Sequence, residues 1–535
     1  MSSSIREVTS AEEEFNNEDK FQNQSKQPTF RLFIQTLKSM FIWYPTNYPK
    51  AERRYLLKLD LSIMIYACLS FFAKFLDQTN ITNAYVSGME EDLKLFHNEL
   101  NWLNITYLSG YVFAQVPFLA LISRPKYSKY VLPTLEILYG ICTFCQSKVQ
   151  TVNQLYAIRF LVGVFEAPSF AGIYYGTEGW RGNPSEIFVR AATWFLCSSV
   201  GTMFSGYLQS AAYTHLNGIG GLSGWRWLFV IDGIITIPIA FIGFAFWVGP
   251  PESGKPWFFT DDEYALTLER RQRYKIEKAG KLDFEVIKRT FSTWHWYLYV
   301  LSYIFMLMTH YPSAYLTLWM KSKKTYSVPQ IDNYPTILNA VSIVSIFVGS
   351  SLAAVISLWK VFVAANSMYT IYYIIMIIYD VPDGLVFFAF FVTGVGASVS
   401  TILFTTVNRV LRTDQEKKAI VMGSMMGIGY FVYTWAPLGM FPTHSKNAAN
   451  AAPRWKIGYP ISFVFSLLQT ASFVLTTYLN YRDNKTNKLM NNLEDSDDGN
   501  NAGSSVIELT TGQTEKDTGL TEVRLVSSTR SDNSF

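Results

Sequence analysis

The amino-acid sequence predicts an all-α membrane protein with twelve transmembrane helices in two six-helix bundles. Hydrophobic residues make up 49% of the 535 residues and charged residues only 16%, well below the ~25% charged of ordinary soluble proteins. Apolar runs of about 20 residues, the length that crosses a ~30 Å hydrocarbon core, recur from about residue 57 to residue 480. A charged segment, 250–293, divides these runs into two groups of six.

Each predicted span has about the length of a membrane-crossing helix. In chain order the spans are 57–79, 102–123, 129–147, 153–175, 190–212, 228–249, 294–320, 336–358, 359–379, 383–408, 418–441 and 457–480. Because their number is even, the two chain termini are expected on the same side of the membrane.

The chain is therefore predicted to consist of five segments. These are a cytoplasmic N-terminal segment at 1–56, a first bundle at 57–249, a cytoplasmic central loop at 250–293, a second bundle at 294–480 and a disordered cytoplasmic tail at 481–535. The tail is rich in Ser, Thr, Asn and Asp, a composition typical of disorder.

Two short helices are predicted outside the bundles. The N-terminal segment carries an apolar stripe with helical spacing, made of Phe30, Phe33, Ile34, Leu37, Met40 and Phe41. Such a helix fits either the inner leaflet or the cytoplasmic face of the protein itself. In the central loop, Thr260 and Glu263 form a capping box that opens a helix ending near Gly280.

Basic residues give the orientation. They concentrate before the first span, in the central loop and after the second, tenth and twelfth spans, so the positive-inside rule places both termini in the cytoplasm. The loop after the first span is acidic. One basic run, at 321–324, falls on the opposite side and is the exception.

Several function classes are disfavoured by the sequence. The four cysteines lie in apolar runs, and the Cys142-x-x-Cys145 pair sits inside a span, where a metal or redox role is not expected. No Walker loop, metal-ligand cluster or water-facing Ser-His-Asp set is visible, so the chain is not expected to be an enzyme, an ATP-driven pump or a nucleic-acid binder. A transporter without a nucleotide-binding domain would draw on an ion gradient and need no cofactor or metal.

Charged residues inside the spans are the candidate functional groups. A charge in the membrane costs at least ~2.5–3.5 kcal/mol, so such residues should face the protein interior or water. The candidates are Lys74, Asp77, Glu136, Arg159, Glu166, Asp232 and His310.

Arg159 and Glu166 lie two helical turns apart on one face of the fourth span, roughly 10 Å along the helix axis. This separation excludes a direct ion pair, so each needs another partner or a water-filled cavity. Burial favours the neutral form of a carboxyl group, so Glu166 is suited to carry a proton. The alternative is a structural carboxyl neutralised by packing against another helix.

Lys74 and Asp77 are neighbours on the first span. They either pair with each other or leave Lys74 facing a cavity, where it would attract an anionic substrate. Asp77 is alternatively solvated near the outer end, or packed with Asn80 and Asn83. For Asp232 a structural role beside Arg226 is expected.

The remaining candidates are polar or aromatic. Glu136 is predicted to be a protonated, hydrogen-bonded group. His310 and Tyr311, next to a proline in the seventh span, are candidate cavity-lining residues, although a lone histidine is also compatible with simple packing. Asn339 in the eighth span is a further candidate.

Four stretches of the sequence, 75–93, 159–172, 205–233 and 314–335, resemble the fungal allantoate permease family. This family belongs to the anion:cation symporters of the major facilitator superfamily, and the chain is most similar to the yeast pantothenate and biotin permeases. The resemblance covers about residues 50–482 and implies the major facilitator fold.

The resemblance also implies function. It implies proton-coupled import of a small organic anion by alternating access, with Glu166 as the coupling carboxyl and Arg159 as the family's arginine. Asp77 matches the aspartate of an Asp-Arg pair, but Gln78 stands where many relatives have the arginine that contacts the anion. Lys74, one turn earlier, is in position to supply that charge.

We therefore predict a monomeric, multi-pass plasma-membrane importer of a vitamin-like carboxylate such as pantothenate or biotin, with another endomembrane as the alternative location. Glu166 is predicted to couple the proton, and the predicted substrate-binding residues are Lys74, Asp77, Asn80, Arg159, His310, Tyr311 and Asn339. The alternatives are a nutrient sensor with a transporter fold, or an uncoupled facilitator for allantoate-, nicotinate-, amino-acid-like or sulfur-containing anions.

Overall fold

The structure is a computed structural model. It describes residue 34 together with residues 48–122, 124–181, 184–249, 251–273, 284–411, 414–444 and 450–498. The predicted amphipathic helix at 30–41, apart from Ile34, and the predicted helix end near Gly280 lie outside the described residues, as does most of the tail at 481–535. The contacts discussed below all involve residues 48–480.

The described residues form an all-helical protein. The first half contains α1 (Lys50–Asp92), α2 (Glu99–Ile122), α3 (Pro125–Gln146), α4 (Val152–Glu166), α5 (Ser169–Arg181), α6 (Pro184–His215) and α7 (Gly224–Phe246). The connection contains α8 (Asp261–Arg273) and α9 (Phe284–Phe291). The second half contains α10 (Trp294–His310), α11 (Leu316–Lys323), α12 (Val328–Asn333), α13 (Thr336–Val355), α14 (Leu358–Ile378), α15 (Asp383–Thr393), α16 (Ala397–Val410), α17 (Gln415–Met440) and α18 (Gly458–Asp498).

Helices cover every predicted span. Among the described residues, seven helices are long and apolar enough to cross a membrane by length and composition. In two spans a proline, which removes a backbone N–H donor, lies where the helix is interrupted. Pro168 separates α4 from α5, and Pro312 lies in the 3-10 turn Tyr311–Tyr315 between α10 and α11. The Tyr373 hydroxyl donates a hydrogen bond to the Thr309 carbonyl oxygen beside this second interruption.

The helices pack within two halves that face each other. In the first half α6 packs on α1, α2 on α4, and α7 on both α3 and α1. In the second half α10 packs on α17, and α13 and α14 pack on α16. The halves meet where α6 packs against α12 and α13, and where α2 packs against α17.

Charged and polar contacts join the halves at the end where α1 stops. The Lys321 ammonium lies 2.6 Å from a Glu90 carboxylate oxygen and 3.1 Å from one of Glu91. The Ser87 hydroxyl donates a 3.0 Å hydrogen bond to the buried Asp332 carboxylate. We call this region the closed end. The ion pairs of Lys321 explain part of the exceptional basic run, because acidic partners from the first half neutralise it.

Farther from the closed end, the halves touch through aromatic rings. Phe170 of α5 and Phe404 of α16 have ring centroids 6.0 Å apart. Phe170 follows Glu166 by about one turn on the side away from the closed end.

The connection between the halves is attached to both of them. The predicted capping box is confirmed, because the Thr260 N–H donates to a Glu263 carboxylate oxygen at 3.0 Å and the Glu263 N–H donates to the Thr260 hydroxyl at 3.3 Å. Lys58 of α1 pairs with Glu263 at 2.8 Å. Burial alone would raise the pKa of Glu263, but the hydrogen bonds from Lys58 and the Thr260 backbone outweigh it and hold that pKa below its usual value. At the other side, Arg289 of α9 pairs with Asp414 at 2.8 Å.

Candidate functional site

Close approach of two backbones positions the candidate site. A Cβ atom on Gly163 of α4 would lie 1.9 Å from the Tyr107 carbonyl oxygen of α2, and one on Gly110 would lie 2.3 Å from the Phe160 carbonyl oxygen. Only glycine permits helices to approach this closely. The contact sets the Tyr107 side chain beside Glu166, the last residue of α4.

Glu166 is fully buried and is held by neutral donors. Its Oε2 accepts hydrogen bonds from the Tyr107 hydroxyl at 2.7 Å and from Gln78 Nε2 at 3.2 Å. Gln78 Nε2 also donates to the Tyr107 hydroxyl. The Glu166 Oε1 atom is buried and has no hydrogen-bond partner in the described part of the chain. No lysine or arginine nitrogen among the described residues lies within 4.0 Å of this carboxyl group.

Arg159 forms a buried ion pair with Asp77. Arg159 Nη1 lies 2.8 Å from Asp77 Oδ2, and both side chains are at most 1% exposed. The Thr143 hydroxyl donates to Asp77 Oδ1 at 2.7 Å, and the Arg159 guanidinium stacks over the Tyr107 ring at 4.7 Å. As the spacing predicted, Arg159 and Glu166 have different partners. The expectation of a solvated Asp77 is wrong.

Lys74 is buried next to this ion pair but does not belong to it. Its ammonium donates a 3.3 Å hydrogen bond to the Tyr111 hydroxyl and lies 4.6 Å from the centre of that ring. It interacts electrostatically with Glu166. No carboxylate among the described residues lies within ion-pair distance of it, so the alternative of a Lys74–Asp77 pair is also wrong.

Asn80 takes part in a second polar cluster. Its Nδ2 donates to Asp232 Oδ2 at 2.6 Å, and its Oδ1 accepts from the Ser205 hydroxyl at 2.6 Å. The expectation that Asp232 sits beside Arg226 is wrong, because Arg226 donates instead to the backbone carbonyl of Ser147 at 2.8 Å. Asp232 is fully buried, and the Asn80 amide is its partner in place of the expected Arg226 guanidinium.

Glu136 is a third buried carboxyl group of the first half. Its two oxygens accept hydrogen bonds from the Tyr66 hydroxyl at 2.8 Å and the Tyr139 hydroxyl at 3.3 Å. The predicted hydrogen bonding is confirmed. Both donors are neutral, as they are around Glu166.

The second-half candidates lie among aromatic side chains. His310 stacks on the Tyr369 ring with centroids 4.7 Å apart, and its Nε2 has no partner among the described residues. The Tyr311 hydroxyl lies 2.6 Å from the Tyr315 hydroxyl. Asn339 donates a 3.5 Å bond to a carbonyl group in the preceding turn. None of the three bonds directly to the charged residues of the first half.

A row of five tyrosines links the charged cluster to the second half. Adjacent ring centroids are 6.2 Å apart for Tyr107 and Tyr111, 5.4 Å for Tyr111 and Tyr430, 6.2 Å for Tyr430 and Tyr433, and 5.1 Å for Tyr433 and Tyr311. We call this set the tyrosine row. Sequence reasoning missed four of its members, whose only signal was a spacing of three or four residues within apolar spans.

Comparisons with known proteins identify the family. The sequence-family model for the Major Facilitator Superfamily matches residues 67–437. The chain belongs to the major facilitator superfamily. It is a membrane-embedded, multi-pass transporter of this superfamily and not an enzyme. The predicted fold class is confirmed.

Curated relatives cover most of the chain. A pantothenate transporter of Schizosaccharomyces pombe is 34% identical over 87% of this chain and 90% of its own length. The vitamin H transporter of Saccharomyces cerevisiae is 32% identical over 84% and 77%. A pantothenate transporter of the same yeast is 31% identical over 78% and 81%.

Solved structures of similar fold are also transporters. A D-xylose–proton symporter matches with a TM-score of 0.59 at 12% identity, covering 78% of this chain and 97% of its own. A bacterial homologue of the human lysosomal transporter Spinster matches with a TM-score of 0.56 at 14% identity, covering 79% and 97%. At these identities the likeness concerns the fold alone.

Proposed function

We propose that this transporter imports a small organic anion together with a proton, by alternating access of a central site. The observation that carries the proposal is a buried carboxyl group, Glu166, beside a buried ammonium group, Lys74, with neither in an ion pair among the described residues. Burying an uncompensated charge is costly, so a proton on the one and an anion on the other would relieve both costs.

Lys74 is the proposed ligand of the substrate carboxylate. The charge of Arg159 is already neutralised by Asp77, so in this proposal these two residues hold the site together and do not bind the anion. Asn80 has the same supporting role beside Asp232. His310, Tyr311 and Asn339 remain predictions for the wall of the cavity in the second half.

The substrate class is proposed from the relatives. Three of them are named as transporters of pantothenate or vitamin H. A vitamin-like carboxylate such as pantothenate or biotin combines one anionic group with a polar or apolar body. The tyrosine row, with its flat rings and hydroxyl groups, suits such a body.

The proposed cycle has three steps. Glu166 accepts a proton from the outer side while the substrate carboxylate binds Lys74. The closed end then forms on the outer side, and the two halves open on the cytoplasmic side. The proton and the anion leave into the cytosol, where the proton concentration is lower. Subgroup membership among the allantoate permeases, the plasma-membrane location, cytoplasmic termini and a monomeric state belong to the same proposal.

The coupling role is tested by substituting Glu166→Gln, with Glu136→Gln as a matched control in the same half. Radiolabelled pantothenate or biotin would be added outside reconstituted vesicles with an imposed pH gradient, and its accumulation inside would be measured. We expect Glu166→Gln to abolish accumulation but to retain exchange of labelled for unlabelled substrate, whereas Glu136→Gln accumulates. Full accumulation by Glu166→Gln would overturn the coupling role.

The mode of transport is tested with a proton uncoupler. Accumulation by the unaltered protein should collapse to equilibration when the pH gradient is removed. Uptake that stays at equilibration with or without the gradient would instead indicate an uncoupled facilitator.

A further inference from the structure

The two oxygens of the Glu166 carboxyl group have different surroundings. Oε2 accepts both hydrogen bonds, from the Tyr107 hydroxyl at 2.7 Å and from Gln78 Nε2 at 3.2 Å. Oε1 has none from the described residues although it is fully buried. A buried polar atom without a partner is costly, and its presence in a cluster of charged groups indicates that something else binds there.

The two donors are themselves fixed. The Gln78 amide bonds to the Tyr107 hydroxyl as well as to Glu166, so the three groups form a closed triangle. The Tyr107 ring is held from its face by the Arg159 guanidinium at 4.7 Å. Arg159 is in turn fixed by Asp77. The orientation of Glu166 is therefore determined by an ion pair to which it does not belong.

Other ionisable groups act on Glu166 from a longer distance. Those that interact with it electrostatically are Lys74 and Asp77 of α1, Tyr111 of α2, Tyr139 of α3, Arg159 of α4 and Asp232 of α7. Among the described residues only Tyr107 and Gln78 donate side-chain hydrogen bonds to the carboxyl group, so these donors can be altered without changing the net charge of the cluster.

We propose that Gln78 and Tyr107 are positioning residues for proton coupling, which hold Oε2 of Glu166 and leave Oε1 to take up and release the transported proton. This inference rests on the proposed function. The donors stabilise the ionised carboxylate more than the neutral acid, because hydrogen bonds to charged acceptors are the stronger ones. They therefore help release the proton, while the neutrality of Gln78 keeps Glu166 from being locked in an ion pair.

The test compares the dependence of uptake on external pH in three variants of the full-length protein. Tyr107→Phe removes the hydroxyl but keeps the ring under Arg159, and Gln78→Leu removes the amide. Each is expected to move the pH of half-maximal uptake to higher pH by about one unit, the equivalent of one charge-assisted hydrogen bond. Gln78→Arg places a cation beside Glu166 and is expected to move it to lower pH.

Tyr111→Phe is the matched control. Its hydroxyl contacts Lys74 and not Glu166, so this variant should change the KM for labelled pantothenate or biotin and leave the pH midpoint in place. A merely structural effect of a substitution would alter the amount of transporter in the membrane or its exchange rate, and not the pH of half-maximal uptake. The uptake of every variant is therefore normalised to its exchange activity.

The outcomes separate the two proposals. Unchanged midpoints in Tyr107→Phe and Gln78→Leu, together with loss of accumulation in Glu166→Gln, would overturn only this inference. Full accumulation in Glu166→Gln would overturn the coupling role on which it rests. A midpoint that moves equally in Tyr111→Phe would also contradict the inference, because the effect would then not depend on contact with Glu166.

Discussion

The two halves of this transporter bury different kinds of side chain. Among the described residues, eight charged or acidic side chains are buried within the spans of the first half: Asp60, Lys74, Asp77, Glu136, Arg159, Glu166, Arg190 and Asp232. Among the described residues of the second half, the buried charged side chains are Asp332 and Lys417, which lie near helix ends and just outside the predicted spans. The buried charges of the described residues are therefore concentrated in the first half.

Stacked aromatic rings are prominent in the second half. Phe362 and Phe473 stack with ring centroids 3.7 Å apart, and His310 stacks on Tyr369. Removing one partner of such a contact leaves no buried uncompensated charge, unlike removal of one partner of a buried ion pair. The difference suggests that the first half fixes the ionic chemistry while the second half shapes the wall of the cavity.

The largest expected effect comes from breaking the Arg159–Asp77 ion pair of the first half. Arg159→Gln leaves the Asp77 carboxylate buried without its cation and should destabilise the protein by about 3–5 kcal/mol. Thermal unfolding of the detergent-solubilised protein measures this. The double variant with Asp77→Asn should recover much of the loss, and a double variant as unstable as the single one would contradict the pairing.

The next effect concerns the proposed anion ligand. Lys74→Gln removes the charge but keeps a polar side chain, and it should raise the KM for the transported acid about tenfold or more, since hydrogen bonds between charged groups contribute ~1.5–3 kcal/mol. Lys74→Arg should retain part of the affinity. An unaltered KM in Lys74→Gln would remove Lys74 from the site.

A smaller effect is expected from the second half. Tyr430→Ala removes the ring that joins Tyr111 to Tyr433 and should raise the KM about two- to tenfold, because an aromatic pair contributes ~0.5–1.5 kcal/mol. Tyr430→Phe, which keeps the ring, should change it less. Uptake kinetics measure both, and an effect of Tyr430→Ala larger than that of Lys74→Gln would break the contrast between the halves.

The smallest effect is expected where the connection meets the first half. The lowered pKa of Glu263 means that its pair with Lys58 stabilises the fold above the usual glutamate pKa and loses that contribution as pH falls through the lowered value. Because the pair lies near the surface, Glu263→Gln should cost at most about 1 kcal/mol at neutral pH. Unfolding curves at pH 7 and pH 4 should differ less for Glu263→Gln than for the unaltered protein.

Sequence reasoning identified most of the buried charged residues of the first half, although it missed Asp60 and Arg190, and it predicted their partners less well. The spacing of Arg159 and Glu166 showed that each needed its own partner, and this was correct. The partner of Arg159 lies 82 positions away in the chain and on another helix, so local spacing could not identify it. A Lys74–Asp77 pair is plausible from their spacing on one helix. Asp77 instead pairs with Arg159, because a guanidinium group binds a carboxylate with more favourable geometry.

The tyrosines were missed for a different reason. Tyr107 and Tyr111, like Tyr430 and Tyr433, fall in apolar spans where tyrosine is common and carries no charge to attract notice. The close approach of α2 and α4 at Gly110 and Gly163 sets the Tyr107 hydroxyl beside Glu166. The sequence contains these glycines, but what they approach becomes visible only in three dimensions.

The buried Asp332 at the closed end has a consequence for energetics. Its carboxylate is 1% exposed and accepts its described side-chain hydrogen bonds from the Ser87 hydroxyl of the opposite half. In the proposed cycle, separating the halves would hydrate this carboxylate and offset part of the work needed to break the surrounding ion pairs and hydrogen bonds. The barrier to opening toward the outside would then depend on how far this hydration compensates for the broken interactions. The neutral side chain of Asp332→Asn gains less from hydration than a carboxylate does, so this substitution should slow opening although it removes a charge from the interface.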